Sequence, residues 1–304
     1  MSDRPRIRRL DERLGLSVLR AGLSPVTLVT YARDHVAVRT PSRPDFHFGN
    51  TLDLTGVPTP DQLDGFLDRY EQTVGSLGAG HVQLRWETPL EPDAPPGAPS
   101  PDAEVVARAR ELGLEVSAVT VLLLDRLVTP QAGVAVELAP VPAPDGQAGG
   151  AVDRRWHATT VLYRYLAGDT PDDWRGNGDG FVAWSVAQQR SLAASGRCQV
   201  WVALRHAMPV ARLSLLHDRQ GLAVVEDVVV HPAHRRRGIA SALTHRAVAH
   251  HLDVDPTARV GLGADPGSGA DLLYRRLGFR PHATVWMAHR AAPPRDEPTR
   301  PVGG

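Results

Sequence analysis

The sequence predicts an α/β protein with a mixed sheet, arranged as two units of similar order. Three observations carry this. Apolar runs of strand length alternate with stretches whose apolar residues recur every three or four positions. The order strand, helix, strand, helix, strand occurs before residue 125 and again from residue 222 onward. Between the two lies Pro140 to Ala151, PVPAPDGQAGGA, a stretch of proline, glycine and small residues without periodicity that reads as a linker. A length of 304 residues is also more natural for two domains than for one.

Residues up to about Val38 carry only weak signals. Phe46 to Leu54 alternates enough to be a strand. In Thr59-Pro60-Asp61-Gln62, Thr59 can cap a helix, Pro60 can take its first position and Gln62 can bond back. Leu63, Phe66, Leu67, Tyr70 and Val74 then share one helical face, and His81 to Trp86 alternates as a strand. Thr88 to Pro101 reads as a surface loop, with Ser100 as the cap of a helix that Gly113 ends. Leu114 to Leu124 is the next strand.

In the second half, Asp153 to Gly180 carries Trp156, Tyr163, Tyr165 and Trp174 among polar residues. A helix over Phe181 to Ala194 is followed by three strands, CQVWVAL, VARLSLLHD and LAVVEDVVVH, as an antiparallel meander. Leu222 to Val230 is apolar except for Glu226 and Asp227, the pattern of a strand covered on both faces. From Ile239, the residues Ile239, Leu243 and Ala247 mark a helix. Between strand and helix lies HPAHRRRG. A helix starting after Gly238 points unpaired N–H groups and its positive dipole end into that turn, which suits a phosphate or pyrophosphate. A P-loop would need a Lys after its second Gly, and a dinucleotide fingerprint needs three glycines and a later acid, so both are excluded. A short strand, Arg259 to Ala264, and then ADLLYRRLGF complete the unit. The residues from Ala291 onward are Pro- and Arg-rich and read as a disordered tail.

Composition narrows the partners. The 34 basic and 34 acidic residues balance, so nothing global points to nucleic acid or an anionic membrane surface. All 34 basic side chains are Arg, as expected of a GC-rich genome. The single cysteine, Cys198, excludes an intrachain disulfide, and its apolar strand gives it a packing role. The charged N-terminus shows no signal peptide and no segment reads as a membrane span, so a cytoplasmic protein is expected. The histidine pairs His231/His234 and His250/His251 lack partners at ligand spacing, so no metal is expected.

The turn resembles the acetyl-CoA-binding motif of the GNAT superfamily of N-acetyltransferases, Val-x-Pro-x-x-(Gln/Arg)-x-x-Gly-x-(Gly/Ala). Val230, Pro232, Arg235, Gly238 and Ala240 fill its positions, and Leu-Tyr-x-x-x-Gly-Phe follows at the spacing the family expects. The resemblance implies the GNAT acyl-CoA N-acyltransferase fold, here as two GNAT-like domains in tandem. The expected division is a degenerate domain over residues 1–139, a linker over 140–151, a catalytic domain over 152–290 and a tail over 291–304. The first domain lacks a basic turn after its strand. For the second, the resemblance implies acetyl-CoA held by Arg235, Arg236, Arg237, Gly238, Ile239, Ala240 and Ser241. The backbone of Val228, Val229 and Val230 would pair with its pantetheine arm and supply an oxyanion N–H. Tyr274 is the expected general acid, against a plain packing role.

A base is also needed, because an amine with a pKa near 10 is mostly protonated at neutral pH. Glu226 and Asp227 are the candidates, with Glu226 preferred. Strand alternation would put them on opposite faces, so that at most one faces the acceptor. Where many relatives place an Asn, this chain has Gly267, with Asp265 or Ser268 as replacements. The expected activity is direct acetyl transfer to a primary amine of a small molecule, in a monomer or homodimer. The alternatives are a non-catalytic acyl-CoA-binding regulatory module or an enzyme acting on a protein amine.

Overall fold

The computed structural model describes residues 13–23, 26–97, 100–131, 135–144, 150–168, 178–218 and 220–292. The strands are β1 (Leu28–Tyr31), β2 (His35–Arg39), β3 (Thr51–Leu54), β4 (Val82–Pro89), β5 (Glu115–Leu124), β6 (Glu137–Pro140), β7 (Cys198–Arg205), β8 (Met208–His217), β9 (Leu222–Val230), β10 (Arg259–Ala264) and β11 (Phe279–Arg290). The helices are α1 (Leu14–Arg20), α2 (Gln62–Thr73), α3 (Ala103–Glu111), α4 (Ala151–Gly168), α5 (Gly178–Ala194), α6 (Ile239–Val254) and α7 (Gly269–Arg276). None of the helices among the described residues is long and apolar enough to cross a membrane.

All eleven strands join one mixed sheet in the order β1-β2-β3-β4-β11-β5-β10-β9-β8-β7-β6. The β–α–β–α–β order of each half is present, but the halves interleave. β11, the last strand of the chain, lies between β4 and β5, and β5 lies between β11 and β10. Each half thus gives its last strand to fill a place beside the other's. Both halves also have their one parallel pair at the matching place, β3 with β4 and β9 with β10.

Alternation along β5 and β11 separates the two faces. Val121 and Val285 point into a core built with α1, α4 and α5. Leu122 and Phe279 join the opposite core with α6 and Tyr274, and Trp286 joins the core of α2 and α3 on that same face.

Several elements differ from expectation for local physical reasons. Residues 46–50 do not extend. His47–Gly49 forms a single 3-10 turn, held by the Asn50 side chain, which donates to the carbonyls of Arg43 and Phe46 at 2.8 Å each, and only Thr51–Leu54 is strand. Gln62 does reach back to the Thr59 N–H at 2.9 Å. The cap of α3 is Asp102 rather than Ser100, because its carboxylate accepts from the N–H groups of Glu104 and Val105. Glu137–Pro140 pair with β7, and the Val141 N–H donates to the Val200 carbonyl at 2.7 Å, so the start of the expected linker belongs to the sheet edge. Residues 145–149, Trp174 and the tail beyond residue 292 lie outside the described residues.

Candidate active site

β9 and β10 pair only from Leu222↔Arg259 to Val224↔Gly261. Beyond that point the strands part, leaving the β10-facing backbone edge of Val225 to Val230 without a strand partner. On its other side β9 stays bonded to β8, with a bulge: Arg212 pairs with Val229 and Ser214 with Glu226, so Leu213 faces both Asp227 and Val228. Asp227 carries the bulge at φ +52°, a conformation costly for a residue with a side chain and commonest where function re-aims one.

The gap between the strands opens into a cavity of about 420 Å³. From the α6 and α7 face come Tyr274, Ala270 and Asp265. From the opposite face come Tyr163, Phe181, Trp184 and Gln189 of α4 and α5, together with Leu19, Gly22, Phe46 and Phe48 of the N-terminal half. The cavity therefore lies where β9 and β10 part, lined from both faces of the sheet.

Glu226 and Asp227 both line it, which corrects the expectation that alternation would turn one of them away. The bulge is the cause, because an extra residue breaks the period of two. The Glu226 carboxylate lies against the backbone that follows α1, so close that a Cβ on Gly22 would stand 2.6 Å from Glu226 Oε2. Burial first, and the neighbouring Asp227 charge second, push the Glu226 carboxyl up to about 8. Asp227 Oδ2 accepts from Gln189 Nε2 at 2.5 Å. Gln189 Oε1 in turn accepts from the buried Arg212 Nη2 at 2.6 Å, and Arg212 also donates to Ser214 Oγ. A cation one layer behind the wall thus orients Asp227 through an amide.

Tyr274 is buried, edge-on to Phe279, and burial pushes its hydroxyl well above the usual tyrosine range. It keeps its proton at neutral pH and presents it at the strand gap. Of the residues around Gly267, Asp265 lines the cavity, whereas Ser268 is occupied as the cap of α7, accepting from the Asp271 N–H at 3.2 Å.

Where β9 ends, Pro232–His234 makes one 3-10 turn, Arg236 and Gly238 take left-handed conformations (φ +61° and +77°), and α6 begins at Ile239. Alternating handedness of this kind curls successive N–H groups into an anion-binding concavity at a helix N-terminus. Gly238 fits there because glycine carries no penalty at that φ. Arg236 and Arg237 are exposed at its rim, and Ile239 is buried under the helix. The Arg235 Nε donates to the Val230 carbonyl at 3.1 Å, bracing the strand end. The concavity at α6 could hold a phosphate, and the open edge of Val228 to Val230 could pair with an amide arm.

Of the four aromatic residues singled out between Asp153 and Gly180, Tyr163 lines the cavity. Trp156 is core, its Nε1 donating to the Pro142 carbonyl at 3.0 Å. The Tyr165 side chain lies outside the described residues. Phe46, Phe48, Phe181 and Trp184 were not anticipated; only their aromatic character near predicted element ends could have signalled them. In the N-terminal half the parallel pair β3/β4 carries an ion cluster. Asp53 on β3 is fully buried, accepting from Arg85 Nε at 2.6 Å and Nη2 at 2.9 Å, from Arg20 Nη1 at 2.8 Å and from Thr51 Oγ1 at 2.9 Å. Among the described residues no group of three His, Cys, Asp or Glu side chains could hold a metal ion.

Comparison with known proteins agrees with this geometry. The family model described as acetyltransferase (GNAT) domain matches residues 196–281, which span β7 to the start of β11. No protein among those with curated functions matches in sequence. A conserved protein of unknown function from Staphylococcus epidermidis is similar in structure at TM-score 0.63 and 14% identity, over 87% of this chain and 93% of its own. A GCN5-related N-acetyltransferase from Kribbella flavida aligns at TM-score 0.56 and 20% identity, over 94% and 95% of the two chains. One from Sphaerobacter thermophilus aligns at TM-score 0.52 and 15% identity, over 87% and 82%. These likenesses speak to fold. The family model assigns residues 196–281 to a GNAT acetyltransferase domain, and the neighbours share the fold of the whole chain.

Proposed function

We propose that this protein transfers an acetyl group from acetyl-CoA directly to a primary amine of a small molecule. The observation that supports this best is that Glu226, Asp227 and Tyr274 line one cavity at the point where β9 leaves β10. Acetyl transfer to an amine needs a proton acceptor, a proton donor and an electrophile held between them.

Glu226, with a pKa of about 8, is matched to taking one proton from an ammonium at working pH. The freed nitrogen attacks the thioester carbonyl, and the backbone N–H groups on the open edge of Val228 to Val230 stabilise the oxyanion. When the tetrahedral centre collapses the C–S bond breaks, and the thiolate takes the Tyr274 proton. Tyr274 regains a proton as the former amine nitrogen loses its second. The sum is one amide, one thiol and one released proton. Asp227, oriented by Gln189 and Arg212, holds the ammonium in place and keeps the Glu226 carboxyl high. A cavity of about 420 Å³ is of a size that takes a small acceptor.

The test is thiol release from acetyl-CoA across a panel of amines, with wild type beside Tyr274→Phe. Turnover that falls by about 10²-fold or more in the variant, with CoA binding retained, is expected. CoA binding without turnover on any amine would instead favour a regulatory acyl-CoA-binding module.

A further inference from the structure

The charged groups that line the cavity are all of one sign. Among its described side chains Glu226, Asp227 and Asp265 are carboxylates and none is basic. Two nearby cations lie outside the lining: Arg212 behind Tyr163, with its guanidinium carbon 4.9 Å from the ring centroid and Nη2 committed to Gln189 and Ser214, and Arg43 over Trp184 at 5.1 Å, its Nε and Nη2 committed to Asp45. Away from the carboxylates, the wall is aromatic. Phe46 stands with its ring centroid 4.8 Å from Trp184, 5.9 Å from Phe181 and 6.4 Å from Phe48. Two of these four rings come from the N-terminal half and two from α5, so the wall exists only because the halves are joined.

We infer that the acceptor is a monoamine carried on a compact apolar body, best an aromatic one, with no carboxylate of its own. This rests on the acetyl-transfer reading and names its acceptor class. The ammonium would sit among the three carboxylates. The body would lie against the four rings, where each Å² of apolar surface removed from water is favourable and ring pairs add a geometric preference. The α-carboxylate of an amino acid would be carried into the same space beside three acidic side chains, with no cation in the described lining to meet it. That is the unpaired burial that sites reject most strongly. A polyhydroxylated amine such as an aminoglycoside would leave its hydroxyls against hydrocarbon.

The experiment uses the full chain and four probes of matched or contrasting chemistry: 2-phenylethylamine, phenylalaninamide, phenylalanine and spermidine. Thiol release and calorimetric binding are read for each. The expected result is that phenylethylamine and phenylalaninamide exceed phenylalanine in kcat/KM by about 100-fold or more, and that both exceed spermidine. Phe48→Ala and Trp184→Ala should each raise KM for phenylethylamine about tenfold, and far more than for ethylamine. Phenylalanine or spermidine accepted as well as phenylethylamine would overturn the inference and leave acetyl transfer standing. Phenylethylamine bound and phenylalanine refused, with no thiol released from any amine, would overturn transfer and keep the ligand class. No binding and no turnover of the two favoured amines would overturn the inference whatever else reacts.

Discussion

Replacing Glu226 by Gln should stabilise the protein, and by an amount that grows with pH. The carboxyl has a folded-state pKa of about 8 against an ordinary value of 4.5, raised by burial and by Asp227. Between those two pH values the folded state holds a proton that the unfolded state has released. The group's favourable contribution is therefore complete below pH 4.5 and is lost as pH rises through 8. Linkage sets the slope at about 1.4 kcal/mol per pH unit across this window. A glutamine side chain is a neutral near-isostere of the protonated acid and has no such slope. The Glu226→Gln variant should match wild type near pH 4.5 and exceed it by about 4 kcal/mol, as a ceiling, at about pH 7.5. In melting temperature this is roughly 2–4 °C per pH unit. The buried histidines titrate in the opposite sense but are common to both proteins, so they cancel in the difference. Scanning calorimetry of the two proteins at half-unit steps from about pH 4.5 to 8.5 measures the gap. In the same series wild-type kcat/KM should rise along a limb with a midpoint at about 8 that the variant lacks. A gap that stays flat, or that closes as pH rises, would mean that Glu226 ionises as an ordinary carboxylate, and the argument for it as proton acceptor would fail.

Gln189→Leu should remove the link between Arg212 and Asp227 while keeping volume, raising acceptor KM about tenfold and leaving CoA binding intact; isothermal titration with CoA beside acceptor kinetics separates the two. Asp53→Asn should cost about 3–5 kcal/mol in urea unfolding, because it leaves the fully buried Arg85 without its counter-charge. His47 and His81, stacked at 3.9 Å, have imidazoles pushed down by burial to about 3 and about 4. The stability they contribute is present above the ordinary histidine value of 6.5 and lost as pH falls toward 4. Their ring resonances should not titrate between about pH 8 and 5, and a midpoint at about 6.5 would refute their burial as neutral groups.

The path from β9 through the turn to α6 was legible because every step in it is local: an apolar run, a glycine that accepts positive φ, and a helix with one apolar face. Tyr274 was singled out by resemblance to a family motif, and the structure places it in the lining of the cavity. What the sequence concealed was non-local or irregular. Asp227 looks like any residue in a strand, and nothing near it announces a bulge, so the alternation rule failed where two carboxylates line one cavity. Phe46 and Phe48 sit in a turn held by Asn50, and their role depends on α5, more than 130 residues further along the chain. The exchange of β5 and β11 was hidden because a hydrophobic strand does not encode which neighbour it will take. Arg235 was placed by motif, and its bond to Val230 depends on a rotamer that sequence does not state.

The exchange also explains why a half without its own phosphate turn remains part of the molecule. β5 stands between β10 and β11, and its Val119 lines the cavity of the other half. α1 is fixed from both ends by the N-terminal half, Leu16 N–H donating to Glu87 at 2.7 Å and Arg20 to Asp53 at 2.8 Å. So fixed, it delivers Leu19, Gly22 and Leu23 to the cavity and sets the wall against which Glu226 lies. The buried Arg20–Asp53–Arg85 cluster is a poor choice for stability alone, since well-packed apolar residues of similar volume usually serve as well or better. Its Asp53 and Arg85 face each other across the paired strands β3 and β4, and through Arg20 the cluster anchors α1. The N-terminal half is in this way part of the cavity wall: the ion cluster at its own parallel pair also positions the helix that lines the cavity of the other half.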